Sequence, residues 1–267
     1  MRDVSDEGKY SGNLSMAQFI KAIGSFTAPL VFFAAHLLGY TEAQSWNVLF
    51  PVFMIAIVVS LISVASIKID EKKSENKSAS IYSTFSILGN PYVFMMVLGI
   101  FLYVGAEVCM SSGMPVYFSD TFKVERTAAT QYVMYFFIVI MLSRFLGSII
   151  LKFISPRTFL ISTTVLSMLG FAILATGSQT AALIALVIIA FGFGNIFPLI
   201  FSMAIDKMPE YSNELSGLMV TAILGGAVIP LVMGAVADST SILCGFSVPA
   251  ICTLYILSIS FLRHKRQ

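Results

Sequence analysis

The chain has 267 residues, of which 57% are hydrophobic and only 11% charged. Soluble domains carry about 25% charged residues, so an ordinary water-soluble fold is excluded. Sixteen Lys+Arg against fourteen Asp+Glu leave a net charge of +2, too slight for nucleic-acid binding through charge.

A bilayer core requires roughly 20 consecutive apolar residues per helix, so charge-free stretches mark the predicted spans. Ala22 to Thr41 and Ala43 to Ile67 are two, meeting in a polar turn at Gly39 to Glu42. Lys68 to Ser80 is strongly hydrophilic and reads as a solvated linker. Pro91 to Phe118 is apolar apart from Glu107, and Ala128 to Leu151 apart from Arg144. The uncharged stretch Thr158 to Ile205 is too long for one helix and is predicted to divide at Gly177 to Thr180. Leu215 to Ala237 and Ser239 to Leu262 follow. The expectation is an all-α polytopic membrane protein of about eight spans. Residues 1–67 hold two helices, 68–90 a cytoplasmic linker and 91–267 six helices.

Cytoplasmic loops carry the excess of Lys and Arg. With both termini and the linker inside, Lys152, Arg157, Lys207 and the C-terminal basic cluster are also inside, and only Lys123 and Arg126 fall outside. The expected location is the inner (plasma) membrane, multi-pass. Residues 1–15 mix both charge signs, unlike a signal peptide.

Glu107 is the most informative residue, because an acid in mid-membrane costs at least about 2.5–3.5 kcal/mol unless it meets a partner or a watery cavity. At helical spacing Tyr103, Met110, Ser111 and Met114 share its face, a contact surface suited to a polyol. The alternative is a structural carboxylate bonded to a neighbouring helix. Arg144 has three readings: snorkelling to the interface, a site role, or an interhelical clamp. His36 is expected near the outer boundary, as a partly exposed imidazole. Phe191-Gly192-Phe193-Gly194-Asn195-Ile196-Phe197-Pro198 breaks helix rules within a span, and Gly225-Gly226 followed by Pro230 does so in the next. Such breaks survive only where protein or a water-lined cavity satisfies the freed backbone groups, which points to a substrate path or to close packing.

Cys109, Cys244 and Cys252 lie in apolar runs and read as small core residues, with no metal site indicated. No HExxH, GxSxG or phosphate-loop motif is present, so no catalytic residues, enzyme activity or cofactor are expected.

Taken together, Tyr103 to Glu107, Ser143 to Gly147, Phe197 to Ile205, and Ser216 to Leu218 with Gly225 to Pro230 resemble the fucose/galactose/glucose permease family of the major facilitator superfamily. The similarity covers residues 91–262 and extends weakly back to Asn13. It implies a twelve-helix architecture in two six-helix halves, with sugar bound between them and uptake driven by protons. The spans here would be helices five to twelve, with helices one to four outside the sequence. On this resemblance the partners are a small sugar such as fucose, galactose or glucose, protons and the lipid bilayer. Glu107, Tyr103, Ser111, Asn195 and Phe197 would bind substrate, and Glu107 and Arg144 would serve coupling or structure. The fucose permease has a tyrosine where this chain has Phe197, and an amide where it has Glu107. A chain of this extent alone is expected either to associate with itself or another half through its polar face or to be degraded, and in neither case to accumulate sugar. The alternative function is a non-transporting fragment acting as a packing or interaction partner.

Overall fold

The computed structural model describes residues 9–66 and 81–261, and every regular element in them is helical. The linker expected at Lys68 to Ser80 lies outside the described residues. The helices are α1 (Tyr10–Leu37), α2 (Glu42–Ser66), α3 (Ile81–Ser86), α4 (Pro91–Phe122), α5 (Arg126–Ile150), α6 (Pro156–Leu174), α7 (Gln179–Phe193), α8 (Ile196–Lys207), α9 (Ser212–Thr221), α10 (Gly225–Ser239), α11 (Ile242–Gly245) and α12 (Ser247–Ser260). Seven stretches among the described residues are long and apolar enough to cross a membrane. They are α2, α4, α5 and α6 in whole or part, and the pairs α7–α8, α9–α10 and α11–α12. At about 1.5 Å per residue α1 also has the length of a span.

The ends of these helices follow from local chemistry. Asn90 caps α4 by accepting from the Tyr92 amide at 2.9 Å, with Pro91 in the first turn where no N–H is needed. Ser155 and Ser178 cap α6 and α7 in the same way.

Of the described residues, 9–20 with 81–261 form one compact unit, and 21–66 a second. In the smaller unit α1 ends at a left-handed Gly39 (φ 85°), a conformation that costs glycine nothing. Thr41 and Gln44 then form a reciprocal cap that starts α2.

The larger unit is built around α4, with α5, α8, α10 and α12 packed against it. Missing side chains set the approach. A Cβ on Gly105 would meet Ile229 and lie 2.9 Å from the Gly225 carbonyl, while one on Gly225 would collide with the Phe101 backbone. This is the small-residue packing by which helices associate in lipid, where the hydrophobic effect supplies no drive between them. It also explains the Gly225-Gly226 break: a short 3-10 turn at Ala222–Leu224 delivers the first glycine onto α4. The α7–α8 span is the most enclosed, with 67% of its most apolar window buried. Of the cysteines, Cys109 and Cys252 are buried as expected, but Cys244 is exposed. It sits on the one-turn helix α11, which buries only Gly245, so an apolar neighbourhood in sequence did not place this thiol in the core.

Candidate functional site

The site is built at the break between α7 and α8. Pro198 has no N–H, so the Gly194 carbonyl four residues earlier has no helical donor. In lipid such a carbonyl must find another partner within the protein. Arg144 on α5 supplies it, donating from Nε to Gly194 O at 3.0 Å. The neighbouring carbonyls are held as well: Ser143 Oγ donates to Phe191 O at 2.5 Å, and Tyr103 Oη to Phe193 O at 2.9 Å. The fully buried Asn195 donates from Nδ2 to the Ser143 carbonyl at 2.7 Å and contacts Ser143 Oγ at 3.1 Å. Gly194 and Gly147 make the contact possible, because a Cβ on Gly194 would lie 2.6 Å from the Ser143 Cβ, and one on Gly147 would overlap the Asn195 amide.

Arg144 reaches further. Its Nη2 lies 3.9 Å from Glu107 Oε1, midway along α4, with side-chain exposures of 10% and 19%. Its Nη1 donates to the Gln18 carbonyl of α1 at 3.4 Å. The guanidinium therefore has partners on α4, α1 and the α7–α8 break, and of the readings open to it the interhelical clamp is the one the geometry carries. The two intramembrane charges neutralise each other, since an uncompensated buried charge costs several kcal/mol (about 3–5 when one partner is removed).

Glu107, Tyr103, Arg144, Asn195 and Phe197 are brought into one region from three segments of chain. Tyr103 is fully buried one turn before Glu107, its ring 5.7 Å edge-on to Phe193 and 6.5 Å from Phe197. Phe197 is half-buried and stacks on Phe201 at 5.7 Å. Glu107 and Phe197 thus keep open surface, whereas Tyr103 and Asn195 stand behind them with polar atoms turned to protein. Ser111 is half-buried one turn past Glu107, its Oγ bonded to its own helix at Val108 O (3.1 Å). Met110 and Met114 are fully buried in the core, so they are not part of an open contact surface beside Glu107. The expectation for His36 falls on a side chain outside those described. Sequence reasoning missed Ser143, Gly147 and Gln18 as parts of the site. The spacing of Ser143 and Gly147 at i and i+4, flanking Arg144 on one helical face, was the available signal for the first two.

Residues 1–230 match the family model of the Major Facilitator Superfamily. A candidate glucose/galactose transporter of Helicobacter pylori is 26% identical over 276 residues, spanning 98% of this chain and 68% of its own length. The glucose/galactose transporter of Brucella abortus biovar 1 is 30% identical over 256 residues, spanning 92% of this chain and 62% of its own. The crystal structure of the transporter FucP in its outward conformation superposes with a TM-score of 0.80 at 23% identity, covering 98% of this chain and 70% of FucP. The chain thus spans about two thirds of the length of the proteins it matches.

Proposed function

This chain belongs to the major facilitator superfamily, a family of membrane transporters and not of enzymes, and on that premise we propose that its full-length gene product takes up a hexose-like sugar driven by a proton gradient. The observation that carries the reading is the partly open Glu107 carboxylate one helical turn from Tyr103, whose ring lies 6.5 Å from that of the half-buried Phe197. A carboxylate accepts hydrogen bonds from sugar hydroxyls, and an aromatic ring covers the apolar C–H face of a pyranose. The names of the relatives support the substrate class: glucose and galactose for the curated proteins, and fucose with protons for the E. coli fucose:proton symporter, which matches this chain with a TM-score of 0.79.

In this proposal Glu107 contacts solute hydroxyls and couples their binding to a proton. Phe197 and Ser111 line the same cavity, Tyr103 and Asn195 set its wall, and Arg144 balances the charge. In the same proposal both termini and the linker lie in the cytoplasm and the protein in the inner membrane, a reading the Lys/Arg distribution supports. Alternating access arises by rocking of one half against the other.

The test is uptake of labelled glucose, galactose and fucose into proteoliposomes holding the full-length gene product, with and without an imposed proton gradient. Saturable, gradient-dependent uptake of at least one sugar is expected, and Glu107→Gln is expected to abolish most of it at near-normal expression. No uptake of any of the three by well-folded protein would remove the sugar reading. Wild-type uptake by Glu107→Gln would remove Glu107 from the site.

A further inference from the structure

We propose that Arg144 is a positioning residue that transmits the charge state of Glu107 to the α7–α8 break, so that what happens at the carboxylate resets the geometry of the broken helix. The inference deepens the transport reading and rests on it for what engages Glu107.

The two ends of the guanidinium are held unequally. Nε donates to Gly194 O at an ordinary 3.0 Å, whereas Nη2 stands 3.9 Å from the Glu107 carboxylate, at the outer edge of ion-pair contact. The group is planar and rigid, so a change at one end tilts the other. The Gly194 carbonyl depends on that contact, because Pro198 offers it no backbone N–H. When Glu107 is neutralised by a proton, or its oxygens are engaged by hydroxyls, the pull on Nη2 weakens and the guanidinium turns.

An acceptor for the turned guanidinium already stands at the break. Asn195 Oδ1 is fully buried and has no hydrogen-bond partner. Its amide is pressed against Gly147, which lies three residues past Arg144 on the same face of α5. A buried acceptor without a donor is costly, and the Arg144 N–H groups are the donors on that face which change position when Glu107 changes charge. The guanidinium therefore has two arrangements, one toward Glu107 and one toward Asn195. A two-state element of this kind, biased by one site and read at another, is what coupling requires.

Amide hydrogen exchange of the full-length gene product, read over residues 192–199 without sugar or gradient, tests the proposal. Glu107→Gln should raise exchange there at least about fivefold, the low end of typical site–site coupling, and leave α6 unchanged. Arg144→Gln should do the same, and the double variant no more than either alone, because both break one connection. Arg144→Lys should behave like Arg144→Gln, since an ammonium cannot span both partners. Adding Pro198→Ala to Arg144→Gln should restore protection, because it supplies the missing N–H to the Gly194 carbonyl. The rescue shows that Arg144 acts through the Gly194 carbonyl, whereas a merely structural Arg144 predicts unchanged exchange in Glu107→Gln. Unchanged exchange in Glu107→Gln, additive effects in the double variant, or no rescue by Pro198→Ala would each overturn the proposal. Where Arg144→Gln fails to fold, Glu107→Gln decides alone. Unchanged exchange with normal sugar uptake removes this inference and leaves the transport reading standing. Raised exchange with no uptake of any sugar does the reverse.

Discussion

Gly147→Ala tests the contact that holds the broken helix. The new Cβ would occupy the space of the Asn195 amide, which is fully buried and bonded to Ser143 at 2.7 Å and 3.1 Å. The amide cannot retreat into solvent, so the substitution either displaces it or pushes α5 away from the break. Two lost hydrogen bonds cost about 1 kcal/mol each, and overpacking adds roughly 1–3 kcal/mol. The helix preference of alanine over glycine returns up to about 1 kcal/mol. The net is a destabilisation of about 2–4 kcal/mol, or roughly 5–15 °C in Tm for a chain of this size. Gly234→Ala is the matched control, since a Cβ there meets nothing within 4 Å in the interior of α10. It should be neutral or stabilising by up to about 1 kcal/mol. Thermal unfolding can be followed with a thiol-reactive fluorophore at the buried Cys109 and Cys252, in a Cys244→Ser background. Equal melting temperatures for the two glycine variants would refute the reasoning, because they differ only in what the added methyl meets.

The remaining expectations concern sidedness and the last helix. Cys244 should be the one native cysteine that reacts rapidly with an impermeant thiol reagent in intact cells, because Cys109 and Cys252 are buried and the proposed topology has the α10–α11 turn outside. In a Cys244→Ser background, Phe153→Cys, at a position 82% exposed between α5 and α6, should react only after the cells are opened. The reverse pattern would invert the assigned topology. Arg157 donates to the Ser260 carbonyl at 2.9 Å and the Phe261 carbonyl at 2.7 Å, tying the end of α12 to the start of α6. Arg157→Ala should therefore cost about 1–2 kcal/mol and raise amide exchange at residues 257–261, an effect that unchanged protection there would rule out.

The spans and their ends were legible in the sequence because lipid imposes local rules. A helix crossing a bilayer must be long, apolar and internally bonded, so Glu107, Arg144 and the run from Phe191 to Pro198 stand out as violations wherever they occur. The turns at Gly39 and Gly177 and the caps at Asn90 and Ser178 are likewise written in a few adjacent residues. What violates a rule is visible locally, but what compensates it is not. Arg144 finds Glu107 on α4, Gly194 at the break and Gln18 on α1, and these partners lie 37, 50 and 126 residues away along the chain. Their meeting depends on how closely α5 approaches α7 and α8, which Gly147 and Gly194 permit through side chains they lack. For the same reason Tyr103 and Ser111, on one face of α4 by spacing, end in different surroundings, one sealed against Phe193 and the other half-buried. Hydropathy specifies which segments enter the membrane, but once all are apolar it no longer distinguishes their faces. Rotation and register then follow from close packing and from the need to satisfy each buried polar group, and both are properties of the assembled bundle.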